Sequence, residues 1–135
     1  MIHVIMGLKG SGKTKKLIDS VNATAATATG VVVCIEYGNK LTYDVKSTVR
    51  LVNSKEYGIS NSCMLKGLLS GLHAGNYDIT HVYIDNLYKT IGTDRAVGEE
   101  FILWCAKFAE ENGMKITITV SDDPALASEE IKNYL

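Results

Sequence analysis

A chain of 135 residues at 46% apolar content is long enough to bury one core and too short for two, so one domain spanning 1–135 is expected. The formal charge of −1 offers no global basic field, so nucleic-acid binding would need a local patch, and the nearest is Lys9, Lys13, Lys15 and Lys16. Cys34, Cys63 and Cys105 are odd in number and far apart, which argues against a disulfide framework or a paired-cysteine zinc site and for reduced, buried thiols.

The first predicted element is a strand, Ile2-His3-Val4-Ile5-Met6. It starts so close to Met1 that no cleaved leader is expected, and no apolar run approaches membrane-spanning length. A cytoplasmic chain with no membrane partner is the expectation.

Gly7-Leu8-Lys9-Gly10-Ser11-Gly12-Lys13-Thr14 follows, with the spacing G-x-x-x-x-G-K-[ST] of a phosphate-binding loop. Inward-turned backbone N–H groups make an anion nest, and the positive end of the next helix adds to it. Glycines are needed because a Cβ would forbid the required dihedrals or the close backbone approach. Gly7, Gly10, Ser11, Gly12, Lys13, Thr14 and Lys15 are the expected phosphate contacts. Lys13 is expected at the β- and γ-phosphates, and the Thr14 hydroxyl on Mg²⁺. The motif therefore predicts binding of a nucleoside triphosphate.

A helix is predicted from Lys15, with Leu17 and Val21 on one face, fading into the small-residue stretch Asn22 to Gly30. Val31-Val32-Val33-Cys34-Ile35 reads as a parallel strand buried on both faces. It ends at Glu36, where ligands gather in an open parallel sheet. Glu36 is thus either a base that orients an attacking water or an ordinary strand-end carboxylate. Tyr37 to Lys40 reads as a turn, with Leu41-Thr42-Tyr43 pairing back as a hairpin. Thr48 to Val52 alternates like a further strand. Ser60 or Asn61 is expected to cap a helix whose apolar stripe is Met64, Leu65, Leu68, Leu69 and Leu72. His73 falls in its last turn, where it is expected to serve the helix dipole.

Ile79 to Ile84 is an apolar strand followed by Asp85, the pattern of a Walker B segment whose carboxylate holds the Mg²⁺ shell. Asn86 stands where many ATPases carry a second acid, which moves the water-activating role toward Glu36. Lys89 to Gly98 reads as a polar loop at the nucleotide-facing edge. Val97, Phe101, Trp104, Cys105 and Phe108 then mark a helix ending before Gly113. Arg95 is either a γ-phosphate or neighbouring-subunit contact, or a surface residue paired with Glu99. Lys115 to Val120 is the last strand. It ends at Ser121, which is expected to touch a γ-phosphate or a lytic water, and Asp122 is expected to be structural. Asp123 caps a final helix with Pro124 at its first position.

Taken together, the P-loop, the Glu36 strand, the Ile84-Asp85-Asn86-Leu87 strand end, Arg95 and Glu99, Ala106-Lys107-Phe108-Ala109-Glu110 and the Ser121 strand resemble P-loop NTPases of the RecA and replicative-helicase type. The resemblance implies a three-layer α/β fold with a mostly parallel sheet of about five strands and helices on both faces. It also implies that the Ser121 strand lies between the P-loop and Asp85 strands. In that family the residue matching Glu36 activates water, the one matching Asp85 organises Mg²⁺, and the one matching Ser121 senses the γ-phosphate. The helicase relatives carry Gln where this chain has Ser121. They also continue into a segment bearing intersubunit arginines and nucleic-acid loops, which argues against DNA translocation here.

Three functions fit these expectations. The first is a Mg²⁺-dependent ATPase with Lys13, Glu36, Asp85 and Ser121 in the catalytic set, activated by self-assembly or by a protein partner. The second is a small-molecule kinase of thymidine-kinase-like arrangement. The third is an ATP-binding switch or scaffold with little turnover.

Overall fold

The computed structural model describes residues 1–135. Five strands, β1 (Ile2–Gly7), β2 (Val31–Glu36), β3 (Arg50–Asn53), β4 (Ile79–Ile84) and β5 (Lys115–Ser121), form one all-parallel sheet in the order β1-β5-β4-β2-β3. The β-branched runs that suit a strand covered on both faces form β2, β4 and β5. The strand ending at Ser121 lies between the Gly7 and Asp85 strands, as expected.

Helices α1 (Lys13–Thr27), α2 (Ser62–Gly75), α3 (Leu87–Ile91), α4 (Arg95–Glu111) and α5 (Glu129–Lys132) supply the crossovers and flanks. Period-two alternation splits β2, β3 and β4 between two cores, while β1 and β5 feed the larger one. Val33, Ile35, Val82, Ile84, Ile116 and Ile118 face the larger core, with Leu65 and Leu69 of α2 and Phe101, Ile102 and Cys105 of α4. Val32, Cys34 and Tyr83 face the smaller one, with Leu17 and Val21 of α1. Helices therefore cover both faces of the sheet. Tyr83 fastens α1 down, its hydroxyl 2.7 Å from Thr24 Oγ1 and 3.2 Å from Ser20 Oγ.

Several expectations need correction. The Asn22–Thr27 stretch stays helical, and the connector is only Ala28 to Gly30. Leu41-Thr42-Tyr43 forms turns and no hairpin strand. Leu41, Val45 and Val49 instead drop into the smaller core and pin that segment as a loop. The stretch from Lys89 is not an extended loop: Leu87, Thr90 and Ile91 are buried and make α3, leaving only Gly92 to Asp94 before α4. Asp94 caps α4 by accepting from Ala96 N at 3.0 Å. Asn61 is the cap of α2, accepting from Met64 N at 2.8 Å, although Met64 itself stays exposed. The final helix is divided into a 3-10 turn, Pro124–Leu126, capped by Asp123, and α5, capped by Ser128. Cys34 and Cys105 are buried, whereas Cys63 is exposed. No helix is long and apolar enough to cross a membrane.

Candidate functional site

The strand register brings the candidate residues to one edge. Gly7 pairs with Ser121 across β1 and β5, and Ile35 pairs with Ile84 across β2 and β4, so Glu36 and Asp85 emerge side by side. Asp85 N donates to Ile35 O at 2.9 Å, which extends the β2–β4 pairing to the point where the carboxylate leaves the sheet.

Between β1 and α1 the glycine loop takes a conformation that its sequence requires. Gly10 and Gly12 have φ of 84° and 85°, in the left-handed region where a Cβ is disfavoured. A Cβ on Gly7 would lie 2.5 Å from Ser11 Oγ and 3.2 Å from its Cβ, so any other residue there would push the Ser11 side chain aside. Leu8 O turns inward and accepts from Ser11 N at 3.1 Å and from Lys13 Nζ at 3.1 Å. The Lys13 side chain is thereby folded into the loop and largely buried.

Two cavities open above this edge. The larger, about 370 Å³, is lined by Lys9, Gly10, Gly12, Lys13, Thr14, Lys15, Asn86, Thr119 and Ser121, with no hydrophobic residue. The smaller, about 120 Å³, contains Glu36, Tyr37, Lys40, Asp85 and Lys89 and shares Thr14 and Asn86 with the first. Ser121 and Glu36 are thus in different chambers, with Thr14 and Asn86 at the boundary between them. Gly7 and Ser11, expected as phosphate contacts, line neither chamber.

Thr14 Oγ1 lies 3.4 and 3.3 Å from Asp85 Oδ1 and Oδ2. Two oxygen-bearing side chains of the kind that could hold Mg²⁺ therefore face each other beside the glycine loop. Glu36 is less free than its strand-end position implied. Its Oε1 accepts from Lys40 N at 2.9 Å and its Oε2 from Leu41 N at 3.1 Å, so the carboxylate holds the following loop in place. Each oxygen retains one lone pair for a further donor. Burial, with Asp85 and Glu36 nearby, pushes the Cys34 thiol up to about 12, which removes it as a nucleophile.

Arg95 lies in neither chamber and is not paired with Glu99. Its Nε donates to Asp122 Oδ2 at 2.8 Å and its Nη2 to Asp122 Oδ1 at 2.9 Å, and Tyr88 Oη donates to the same Oδ2 at 2.9 Å. The Arg95 guanidinium, opposed by partial burial and helped by Tyr88 and Asp123 N, holds the Asp122 carboxyl well below the usual carboxylate range. Asp122 is structural as expected: it ties the start of α4 to the residue after Ser121. Glu99 accepts from Ser128 N at 3.0 Å and serves α5. His73 packs against Tyr77 and Phe108, with ring centroids 5.3 and 5.9 Å away, far from both chambers in sequence and contact.

Thr119 was missed as a site residue. It is 1% exposed, yet its hydroxyl accepts from Asn86 N at 2.6 Å and donates to Asp85 Oδ1 at 2.8 Å. A signal was present, since Thr117, Thr119 and Ser121 put polar groups at every second position of a central strand. Asn86 is the only non-glycine residue with positive φ, at 53°. Comparison with known proteins adds no further constraint: no protein-family model matches the chain, and no curated protein matches it.

Proposed function

We propose that the chain is a P-loop ATPase that binds Mg²⁺–ATP at Gly7–Thr14 and hydrolyses it slowly, with assembly or a protein partner raising the rate. The observation that carries this reading is the larger chamber. Its left-handed glycines, folded-in Lys13 and lining free of hydrophobic residues suit a polyphosphate. The strand order also agrees with the resemblance to RecA-type NTPases.

In this reading the loop amides hold the β- and γ-phosphates, and Lys13 leaves Leu8 O to pair with them. Thr14 and Asp85 would hold Mg²⁺, and their opposed oxygens fit it. When bound, the ion neutralises charge on the phosphate oxygens. Ser121 sits along the phosphate path and offers its hydroxyl to a terminal oxygen. Glu36, in the adjoining chamber, uses a remaining lone pair to orient water, so catalysis is positioning and charge stabilisation. The reaction transfers the terminal phosphoryl group to that water and gives ADP and inorganic phosphate.

The smaller chamber bears on the alternatives. Its lining is mostly polar, with Glu36, Asp85, Lys40 and Lys89 around it and no aromatic stack for a base beyond Tyr37, which suits water or phosphate better than a nucleoside acceptor. The switch reading keeps one specific support, the engagement of both Glu36 oxygens by backbone amides. The test is ADP release from Mg²⁺–ATP over a wide protein concentration range, with Lys13→Ala as the blank. Turnover above the blank supports the ATPase, and specific activity that rises with concentration supports completion by assembly. Nucleotide binding without turnover leaves the switch.

A further inference from the structure

Thr119 occupies a position that phosphate binding by the loop does not by itself require. It lies inside the sheet, one strand away from β1, and its hydroxyl bridges two consecutive residues of β4's exit. The Asn86 amide is a donor only, so it takes an acceptor lone pair of Oγ1. The single hydroxyl proton is then directed to the strongest acceptor in reach, Asp85 Oδ1. At 1% exposure, water does not compete for either bond.

The consequence falls on both residues. Oδ1 of Asp85 is fixed, and the only other side chain bonded to that carboxylate is Thr14, at the longer distances of 3.3 and 3.4 Å. Asn86 is held with φ at 53°, an unusual backbone for a residue with a Cβ, and it lines both chambers. One hydroxyl therefore sets the rotation of the carboxylate and the turn that follows it.

We propose that Thr119 is a positioning residue: through its hydrogen bond it orients Asp85 toward the cation of a metal–nucleotide complex, and so governs the Mg²⁺-dependent part of nucleotide affinity. This rests on the nucleotide reading above. A hydroxyl that merely satisfied the Asn86 amide would affect the fold and leave the metal dependence unchanged. Residues that orient a metal-binding carboxylate from behind commonly change metal affinity by about 10- to 100-fold.

The experiment measures binding of a fluorescent N-methylanthraniloyl-ATP by anisotropy, with excess Mg²⁺ and again with EDTA, for the wild-type chain, Thr119→Val and Thr119→Ser. The wild type is expected to bind more tightly with Mg²⁺. Thr119→Val is expected to lose about tenfold more affinity with Mg²⁺ than with EDTA, and the binding it retains in EDTA shows that the loop is folded. Thr119→Ser, which keeps the hydroxyl, is expected to restore the enhancement. The inference is overturned if Thr119→Val keeps the full enhancement, if it weakens binding equally in EDTA, or if Thr119→Ser behaves like valine. Absence of wild-type binding in both conditions overturns the nucleotide reading and this inference together, whereas the other three outcomes leave that reading standing.

Discussion

The two chambers differ in how their polar groups are already engaged. In the larger one the backbone is set by glycine geometry, and Lys13 rests on one carbonyl that a phosphate can replace. In the smaller one Glu36 spends one lone pair of each oxygen on Lys40 N and Leu41 N, and so shapes the loop that walls its own chamber. In the proposed reading the phosphate loop is therefore preorganised, while the group assigned to water also supports structure. Substitutions in the two chambers should separate affinity from turnover.

The largest expected effect is that of Lys13→Ala. Loss of a charge-assisted contact to the phosphates should weaken fluorescent-nucleotide binding by about 100-fold or more. The thermal midpoint should hardly move, because the lysine's hydrogen bond is to Leu8 O alone. An equally tight Ala variant would remove the larger chamber from nucleotide binding.

Glu36→Gln sharpens the contrast from the other side. Turnover should fall by about 100-fold, the lower end for loss of a general base, with the nucleotide Kd changed by less than about threefold. A glutamine carbonyl can still accept, but its NH₂ cannot serve the second backbone amide. The variant should therefore also lose about 1–3 kcal/mol of stability, measurable by denaturant unfolding. Unchanged turnover with that stability loss would favour the switch.

Gly12→Ala probes the preorganisation itself. At φ 85° an alanine should cost about 1–2 kcal/mol in denaturant unfolding and weaken nucleotide binding. If affinity holds while stability drops, the loop reforms around its ligand.

The smallest effect is expected at Asp122, outside both chambers. Its carboxyl is held below the ordinary value of 3.8, chiefly by Arg95, so its contribution to stability is present in full above that value and is lost progressively as pH falls below it toward the lower folded-state value. The stability gap between wild type and Asp122→Asn should therefore close as pH drops from about 5 toward 2, followed by urea unfolding at each pH. A gap independent of pH would mean that packing of Tyr88, and not charge, holds the start of α4.

Much of this arrangement was legible in local pattern. The glycine loop has a fixed spacing, β2 is a continuous apolar run, and β4 and β5 are strands rich in β-branched residues, leading to Glu36, Asp85 and Ser121, so strand ends and candidate site residues could be located together. What escaped depends on partners distant in sequence. Arg95 and Asp122 are 27 residues apart, and the local Arg95–Glu99 spacing suggested a pairing that the stronger bidentate contact overrides. The Leu41–Tyr43 hairpin failed because Leu41 had a core to enter and a carboxylate to bind its amide. Thr119 looked like an ordinary β-former, and only the fold supplied Asp85 and Asn86 as its neighbours.

One consequence follows from the place of β1 at the end of the sheet. It has a single ladder partner, β5, and its other side is clipped where Val4 N donates to Tyr134 O at 2.8 Å. The loop is thus mounted like a cantilever, hung from one strand and braced near its root by the segment after α5. Deuterium uptake at the Val4 amide becomes a gauge of that brace: slow exchange reports a stiff mount, and acceleration on opening the brace would measure how freely the loop can rock against Ser121.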